Sequence, residues 1–272
     1  MPALADPVVM GVVNVTPDSF SDGGLWPDTA SAVAHGRELL AQGAGLLDVG
    51  GESTRPGAGA VDPGEERARV VPVVAALARE PGARVSIDTM KLSVAEPALA
   101  AGATYVNDVT AFRHDPELAG LVADAGADCC LMHMLGEPRT MQRDPRYGDV
   151  VDDVKAFLLD RVEFAVAEGI REDRIQLDPG IGFGKTVEHN LRLLARVEDL
   201  VSLGFPVVVG TSRKSFLGRL TGRQDPAARV AATVATTVMA FERGARVFRV
   251  HDVAETVDAL AVAAATLRAH GA

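Results

Sequence analysis

The chain has 272 residues, which is enough for a full hydrophobic core and typical of one α/β barrel. Its 37 Asp and Glu residues outnumber its 27 Lys and Arg residues, and the resulting net charge of −10 argues against a nucleic-acid-binding surface. We expect no signal peptide and no membrane span, because no basic start precedes an apolar run and no apolar stretch reaches about 18 residues.

Short apolar runs alternate with helical patterns along the whole sequence. The runs are too short for helices and are flanked by turn residues, which indicates strands buried on both faces of a parallel sheet. They predict strands at residues 8–13, 45–51, 84–88, 104–108, 128–133, 174–178, 206–209 and 246–250. The patterns between them predict helices at residues 29–41, from 63, at 92–101, 116–125, 150–168, 187–203, after 215, at 227–243 and at 253–268.

Eight strand–helix units with no linker between them predict a single α/β domain over residues 1–272, folded as a (β/α)8 TIM barrel. A doubly wound open sheet with two extra strands is the alternative. The adjacent Cys129 and Cys130 lie on a predicted strand, where neighbouring side chains point to opposite faces. We therefore predict free thiols and a reducing, cytoplasmic location.

The stretch after the seventh predicted strand, residues 210–215, consists of small or cationic residues and leads into a helical pattern. Hydroxyl groups, two positive charges and unpaired backbone N–H groups meet there, and a helix N-terminus binds anions. A capped surface helix with two solvated cations is the alternative for this stretch taken alone.

A polar residue lies at or near the end of each predicted strand. In a (β/α)8 barrel the C-terminal ends of the strands meet at one rim, where the active site lies. One such residue is usually a helix cap or a turn former, but eight at one rim indicate function for at least five of them. These strand-end residues are Asn14, Asp48, Asp88, Asn107, His133, Asp178, Ser212 and His251.

The strand-end residues and their neighbours divide into two chemical groups. The acceptors Asp88, Asn107 and Asp178, accompanied by Lys214, suit the N–H edges of a flat heterocycle, since a buried carboxylate forms a bidentate bond with two adjacent donors. An N-cap or an ion pair inside the barrel is the alternative for either aspartate. The second group suits a diphosphate with its Mg²⁺, for which Asn14 offers an oxygen ligand. Its members are Asn14, Arg55, Arg213, Lys214, Arg249 and His251.

Two further patterns have weaker support. Residues 180–186 resemble a Walker A phosphate loop, but Pro179 occupies the position of its first glycine. His133 near Cys129 and Cys130 suggests zinc, yet no second ligand pair has metal-binding spacing.

At this point the sequence resembles the dihydropteroate synthase family. The resemblance runs from residue 8 to beyond 253, and no motif position departs from the family pattern. The motifs are Asn14-Val-Thr-Pro-Asp-Ser-Phe-Ser-Asp-Gly-Gly24, Leu46-Leu-Asp-Val-Gly-Gly-Glu-Ser-Thr-Arg-Pro-Gly57, Ser86-Ile-Asp-Thr89, Asn107-Asp-Val109, Leu131-Met-His-Met134, Asp178-Pro-Gly-Ile-Gly-Phe183, Ser212-Arg-Lys-Ser-Phe216 and Arg249-Val-His-Asp-Val253.

The resemblance implies condensation of 6-hydroxymethyl-7,8-dihydropterin diphosphate with p-aminobenzoate to 7,8-dihydropteroate and pyrophosphate, in folate biosynthesis. It assigns the pterin to Asp88, Asn107, Met132, Asp178, Lys214 and Arg249. It assigns the diphosphate to Asn14, Thr54, Arg55, Arg249 and His251, with Mg²⁺ on Asn14. It assigns p-aminobenzoate to Phe20, Thr54, Pro56, Phe183 and Ser215, with the carboxylate at Ser215 and its helix N-terminus. The catalytic set is then Asn14, Arg55, Asp88, Lys214, Arg249 and His251.

The family's reaction has a dissociative character, in which the diphosphate leaves before the amine attacks. Catalysis then stabilises a departing anion and a cationic ring, which agrees with the lack of a nucleophile–base pair among the strand ends. The resemblance also implies a homodimer through the late helices and sulfonamide inhibition. A pterin-dependent methyltransferase and a non-catalytic pterin-binding paralogue are the alternatives. A diphosphate site argues against the first, and intact substrate residues argue against the second.

Overall fold

The computed structural model describes residues 6–16, 29–54 and 57–270. These residues contain eight parallel strands in the order β6-β5-β4-β3-β2-β1-β8-β7. A parallel bridge between Leu177 and Val207 joins the two outer strands, and the Leu177 N–H donates to the Pro206 carbonyl at 3.0 Å. The sheet is therefore a closed barrel. The strands are β1 Val8–Asn14, β2 Leu46–Gly50, β3 Val85–Asp88, β4 Tyr105–Asp108, β5 Asp128–Met132, β6 Ile175–Asp178, β7 Val208–Val209 and β8 Val247–Val250.

The helices cover the outside of the barrel, as the alternation in the sequence predicts. Those within the described ranges are α1 Thr29–Ala41, α2 Pro63–Leu77, α3 Leu92–Ala100, α4 Glu117–Ala125, α5 Val150–Ala167, α6 Val187–Ala195, α7 Val197–Val201, α8 Ser215–Thr221, α9 Val230–Glu242 and α10 Val253–His270. Local signals fix several starts, because Asp62 caps α2 ahead of Pro63 and Asp149 caps α5. None of the helices in these ranges has the length and apolar character needed to cross a membrane.

Three predicted elements differ from the structure. The predicted helix over 187–203 is two helices, because Arg196 leaves the helical conformation at φ −121° and its guanidinium binds Asp149 and Asp199. The predicted helix over 227–243 begins as a 3-10 turn at Pro226–Arg229, in which the Arg229 guanidinium donates to the carbonyls of Arg213 and Arg223. Strand β7 is two residues long rather than four. Val207, just before it, forms the bridge to Leu177 and accepts hydrogen bonds from the backbone N–H groups of Arg246 and Val247.

Two apolar layers hold the fold together. The larger lies between the strands and the helices, and a smaller cluster fills the inside of the barrel at the N-terminal ends of the strands. The residues of this inner cluster are Met10, Leu46, Tyr105, Cys130, Val208 and Val247. Because side chains alternate along a strand, the residues two positions later also face inward, one layer closer to the C-terminal rim. Asp48 follows Leu46 in this way, and Arg249 follows Val247.

The strand register places the predicted site residues at one level. Asn14 is opposite Gly50, Gly50 is opposite Asp88, and Asp88 is opposite Asn107. On the other side of the barrel Met132 is opposite Asp178. The inner apolar cluster therefore closes the barrel beneath a polar layer at its C-terminal rim.

Candidate active site

Asp48 is the centre of the polar layer. Its side chain has no exposed surface and receives three hydrogen bonds, from the Ser86 hydroxyl at 2.6 Å, the Asn107 amide at 3.0 Å and the Arg249 Nε at 2.6 Å. A carboxylate withdrawn from water in this way is stable only with such donors. Asp48 thus fixes the side chains of Asn107 and Arg249.

Arg249 links Asp48 to Asp88. Its Nη2 donates to Asp88 Oδ2 at 2.6 Å, so one guanidinium joins two carboxylates. Burial raises the pKa of Asp88 to about 7, with the Arg249 charge acting to lower it and the Asp48 charge acting to raise it. Burial lowers the pKa of Arg249, but the attraction of Asp48 and Asp88 outweighs it and raises this pKa above its ordinary value. The ion pair inside the barrel, an alternative for Asp88, is present.

Asp178 and Lys214 form the opposite side of the layer. Asp178 Oδ1 accepts from the Gly180 N–H at 2.6 Å, and burial raises its pKa although the Lys214 charge lowers it. Burial lowers the pKa of Lys214 to about 8, although Asp178 acts to raise it. The Lys214 ammonium donates to the Ile181 carbonyl and lies 4.8 Å from the centre of the Phe183 ring. A carboxylate, an ammonium and an aromatic face therefore meet at this point.

Met132 and Phe183 provide an apolar wall beside this pair. Met132 is buried in a small cluster with Val109, Met134 and Met141, against which Phe183 packs. The structure thus brings together all six residues assigned to the pterin from the sequence. They are Asp88, Asn107, Met132, Asp178, Lys214 and Arg249.

The residues assigned to the diphosphate are described in part. Asn14 ends β1, and its side chain has no hydrogen bond to another described residue. The Nη1 group of Arg249 likewise lacks a partner among those residues, since only Nε and Nη2 donate to carboxylates. Thr54 is half-buried, and Arg55 lies outside the described residues.

Ser212 orients His251. The Ser212 hydroxyl oxygen accepts the His251 backbone N–H at 3.1 Å and lies 2.9 Å from the Nδ1 of the ring. A hydroxyl group can donate one hydrogen bond and accept two, so this contact orients the ring of His251 with either tautomer. The strand ends thus contain a serine–histidine contact. Because the same hydroxyl also binds the backbone of His251, we interpret it as a contact that orients the ring.

Of the residues assigned to p-aminobenzoate, three are described. Phe183 lies beside Lys214, Ser215 is the exposed first residue of α8, and Thr54 follows β2. Phe20 and Pro56 lie outside the described residues.

The cation Arg213 is engaged elsewhere. Its Nε donates to Asp252 at 3.1 Å and its Nη2 binds the other oxygen of the same carboxylate. Its backbone is in the left-handed region at φ 58°, held by hydrogen bonds with Thr233 and Arg229. Arg213 therefore stabilises the turn before Lys214, and its place in the anion-binding group stays a prediction.

The glycines of residues 180–184 serve close packing. A Cβ on Gly180 would lie 1.9 Å from the His133 carbonyl oxygen, at φ 65°. Lys185, the lysine that a Walker A loop presents to a nucleotide, is 3% exposed, and its ammonium lies 2.9 Å from His133 Nδ1 and 3.0 Å from the Phe183 carbonyl. The segment is therefore packed against the strand ends and is held by internal hydrogen bonds, which a phosphate-binding loop would not be.

His133 and the two cysteines are buried and have structural roles. His133 is buried between Lys185 and the rings of Tyr147 and Phe157, and burial followed by the Lys185 charge lowers its pKa to about 2. Cys129 and Cys130 are buried free thiols. In the ranges that the structure describes, no three His, Cys, Asp or Glu side chains are grouped as a metal site requires.

A (β/α)8 barrel with two acids, an amide and a lysine converging at its rim defines a pterin-binding enzyme. The family model described as pterin binding enzyme matches residues 10–251. The dihydropteroate synthase of Neisseria meningitidis serogroup C is 47% identical over 260 residues, 94% of this chain and 92% of the relative.

Two solved structures agree with this placement. Xanthomonas albilineans dihydropteroate synthase with 4-aminobenzoic acid has a TM-score of 0.91 and 50% identity, covering 97% of this chain and 94% of that one. Yersinia pestis dihydropteroate synthase in a sulfonamide drug complex has a TM-score of 0.92 and 45% identity, covering 97% and 96%. The chain belongs to the dihydropteroate synthase family.

Proposed function

We propose that the protein condenses 6-hydroxymethyl-7,8-dihydropterin diphosphate with p-aminobenzoate, releasing pyrophosphate and 7,8-dihydropteroate. The observation that carries the proposal is the polar layer of Asp48, Arg249 and Asp88 facing Asp178 and Lys214. Its acceptors and donors match the edges of a pterin, and the cationic members are placed to face an attached anion.

The pterin is held by the six residues assigned to it from the sequence. Asp88 and Asp178 accept from ring N–H groups, Lys214 donates to a ring oxygen or nitrogen, and Met132 covers one face of the ring. As the diphosphate departs, positive charge develops on the dihydropterin ring, and two buried carboxylates at fixed positions stabilise it. The buried apolar cluster beneath excludes water from that side.

The diphosphate is held by Asn14, Thr54, Arg55, Arg249 and His251. Arg249 donates through Nη1, which binds no other described residue, and His251 donates through the ring that Ser212 orients. Both donors are aligned before the anion leaves, so little reorganisation is needed in the transition state.

Mg²⁺ on Asn14 belongs to the same proposal. Mg²⁺ retains several waters and is usually held by one or two protein oxygens together with substrate phosphates. The Asn14 amide lies at the rim and has no hydrogen bond to the other described residues. It can therefore offer one oxygen to an ion whose other ligands are waters and phosphate oxygens. When bound, Mg²⁺ neutralises charge on the leaving diphosphate.

The p-aminobenzoate site consists of Phe20, Thr54, Pro56, Phe183 and Ser215. The Phe183 ring provides an apolar face next to the pterin pocket, and the exposed Ser215 hydroxyl donates to the carboxylate of the substrate. Sulfonamides share the flat aniline of p-aminobenzoate, so we propose that they compete for this site.

The remaining parts of the proposal concern the whole molecule. We propose one domain over residues 1–272 and a homodimer through the late helices, where Met239 on α9 is 43% exposed and Val262 on α10 is 69% exposed. A cytoplasmic location accords with the two free, buried thiols.

Pyrophosphate release tests the function. The protein is incubated with the dihydropterin diphosphate, Mg²⁺ and p-aminobenzoate, beside a Lys214→Ala variant. We expect release that depends on p-aminobenzoate and is lost in the variant. Tight pterin binding without release would show a non-catalytic paralogue instead.

A further inference from the structure

A buried lysine joins three acceptors beside the rim. Lys91, just before α3, donates through its ammonium to the Glu52 carboxylate at 2.5 Å, the Glu66 carboxylate at 2.6 Å and the Val61 carbonyl at 2.7 Å. All three ammonium protons therefore have partners. The side chains of Lys91 and Glu52 are 10% exposed and that of Glu66 is 1% exposed, so the pairing is shielded from water.

The same contacts close a loop at its base. Val61 lies nine residues after Glu52, and its backbone N–H donates to the Glu52 carboxylate at 3.0 Å. Lys91 binds the carbonyl of the same residue, so both polar groups of Val61 are held. The loop between Glu52 and Val61, which we name the β2–α2 loop, contains Thr54.

We call the contacts of Lys91 with Glu52, Glu66 and Val61 the clamp. The clamp is also fixed to the barrel. Gly51 packs so closely on α2 that a Cβ there would lie 2.7 Å from Val70 and 3.0 Å from the Glu66 side chain. Glu66 accepts the hydroxyl of Thr89, the residue directly after Asp88, at 2.7 Å. A cavity of about 10 Å³ is lined in part by Glu52, Thr54, Glu66 and Asp88, so these contacts adjoin the pterin-binding carboxylate.

These contacts distinguish two sets of substrate residues. The residues assigned to the pterin lie on or after β3, β4, β5, β6, β7 and β8 and are held by the barrel. Thr54, assigned to the diphosphate and to p-aminobenzoate, lies on the β2–α2 loop, whose base the lysine clamps. The Lys91 ammonium also offsets one of the two negative charges of Glu52 and Glu66 and so weakens their repulsion of a diphosphate.

We propose that Lys91, with Glu52 and Glu66, positions the β2–α2 loop for the diphosphate and for p-aminobenzoate without contributing to pterin binding. These three are positioning residues, since they act through the loop. The inference rests on the proposed function for the identity of the two substrates.

The test variant is Glu52→Ala, which opens the base of the loop while Lys91 keeps Glu66 as its partner. We expect a roughly tenfold weaker affinity for pyrophosphate with Mg²⁺ and a drop of about 100-fold in kcat/KM for p-aminobenzoate, because small misplacements of binding groups have effects of this size. The affinity for 6-hydroxymethylpterin, measured by calorimetry, is expected to stay within about twofold. Lys91→Met is the second variant, and we expect the same loss of pyrophosphate affinity. Its pterin affinity is expected to shift to higher pH, because the Glu66 charge, then without its cation, adds to the rise in the pKa of Asp88.

The matched control is Tyr105→Phe, which removes a partly buried hydrogen bond of 2.9 Å to Gln176, in the apolar cluster beneath the polar layer. Its pyrophosphate affinity is expected to equal that of the wild type. Unchanged pyrophosphate binding in Glu52→Ala, or an equal loss of pterin binding, would overturn the proposal. If Lys91→Met does not fold, Glu52→Ala decides alone. The two proposals can fail separately. If the wild type forms no dihydropteroate but Glu52→Ala still weakens pyrophosphate binding, the proposed function is refuted and the positioning role of Lys91 is not.

Discussion

Replacing Asp48 by asparagine perturbs the polar layer at its centre. The substitution keeps the shape and removes a fully buried charge that accepts hydrogen bonds from Ser86, Asn107 and Arg249. A hydrogen bond to a charged group contributes about 1.5–3 kcal/mol, and breaking a buried ion pair costs about 3–5 kcal/mol when the remaining charge has no partner. Arg249 keeps Asp88 as a partner, so its charge is not left unpaired. We therefore expect the free energy of unfolding to fall by about 2–3 kcal/mol, near the value for charged hydrogen bonds.

The same substitution is expected to change the pH dependence of pterin binding. Burial raises the pKa of Asp88 to about 7, against the lowering effect of Arg249, and the charge of Asp48 adds to the rise. Pterin binding uses the ionised carboxylate as an acceptor, so affinity in the wild type increases as the pH rises through about 7. Without the charge of Asp48 the pKa of Asp88 falls, and the midpoint of the affinity profile moves to lower pH.

The assay is calorimetric titration with 6-hydroxymethylpterin at a series of pH values, together with denaturant unfolding of each variant. Ser86→Ala is the matched control, since it removes one hydrogen bond to Asp48 and leaves the charge in place. We expect it to lower the free energy of unfolding by about 1 kcal/mol with an unchanged midpoint. A midpoint in Asp48→Asn that stays fixed or moves to higher pH would refute the reasoning.

Three further predictions concern other parts of the site. Ser212→Ala removes the hydroxyl that contacts the ring of His251, so we expect kcat to fall about tenfold while the affinity for 6-hydroxymethylpterin is unchanged. Steady-state kinetics that show no change would contradict this. Gly180→Ala places a Cβ 1.9 Å from the His133 carbonyl and is expected to lower the free energy of unfolding by more than about 3 kcal/mol, whereas Gly126→Ala, in open space at a similar φ of 59°, costs about 1 kcal/mol. Sulfonamides are expected to inhibit competitively against p-aminobenzoate, and unchanged turnover in their excess would refute that site.

The fold follows from local patterns in the sequence. Apolar runs of strand length and helix caps such as Asp62 act within a few residues, so they predict the eight units and most of their boundaries. The errors arise where distant residues intervene. Arg196 breaks a helix because its side chain binds Asp149, which lies 47 residues away in sequence.

The site shows the same division. The position of Asp88, Asn107 and Asp178 at strand ends is a local feature, and it predicts their convergence. Asp48 received no role from the sequence, because its partner Arg249 is 201 residues away. The available signal was a carboxylate in the middle of an apolar strand, which requires a buried donor. The pairing of Arg213 with Asp252 depends in the same way on how the barrel closes.

The most direct test of the central claim is a single-turnover experiment that measures both products. The protein is mixed with limiting dihydropterin diphosphate, Mg²⁺ and excess p-aminobenzoate, and 7,8-dihydropteroate and pyrophosphate are quantified in the same quenched samples. The proposed function predicts that the two appear together in equal amounts. Pyrophosphate without dihydropteroate, or neither product from pterin that is demonstrably bound, would contradict it.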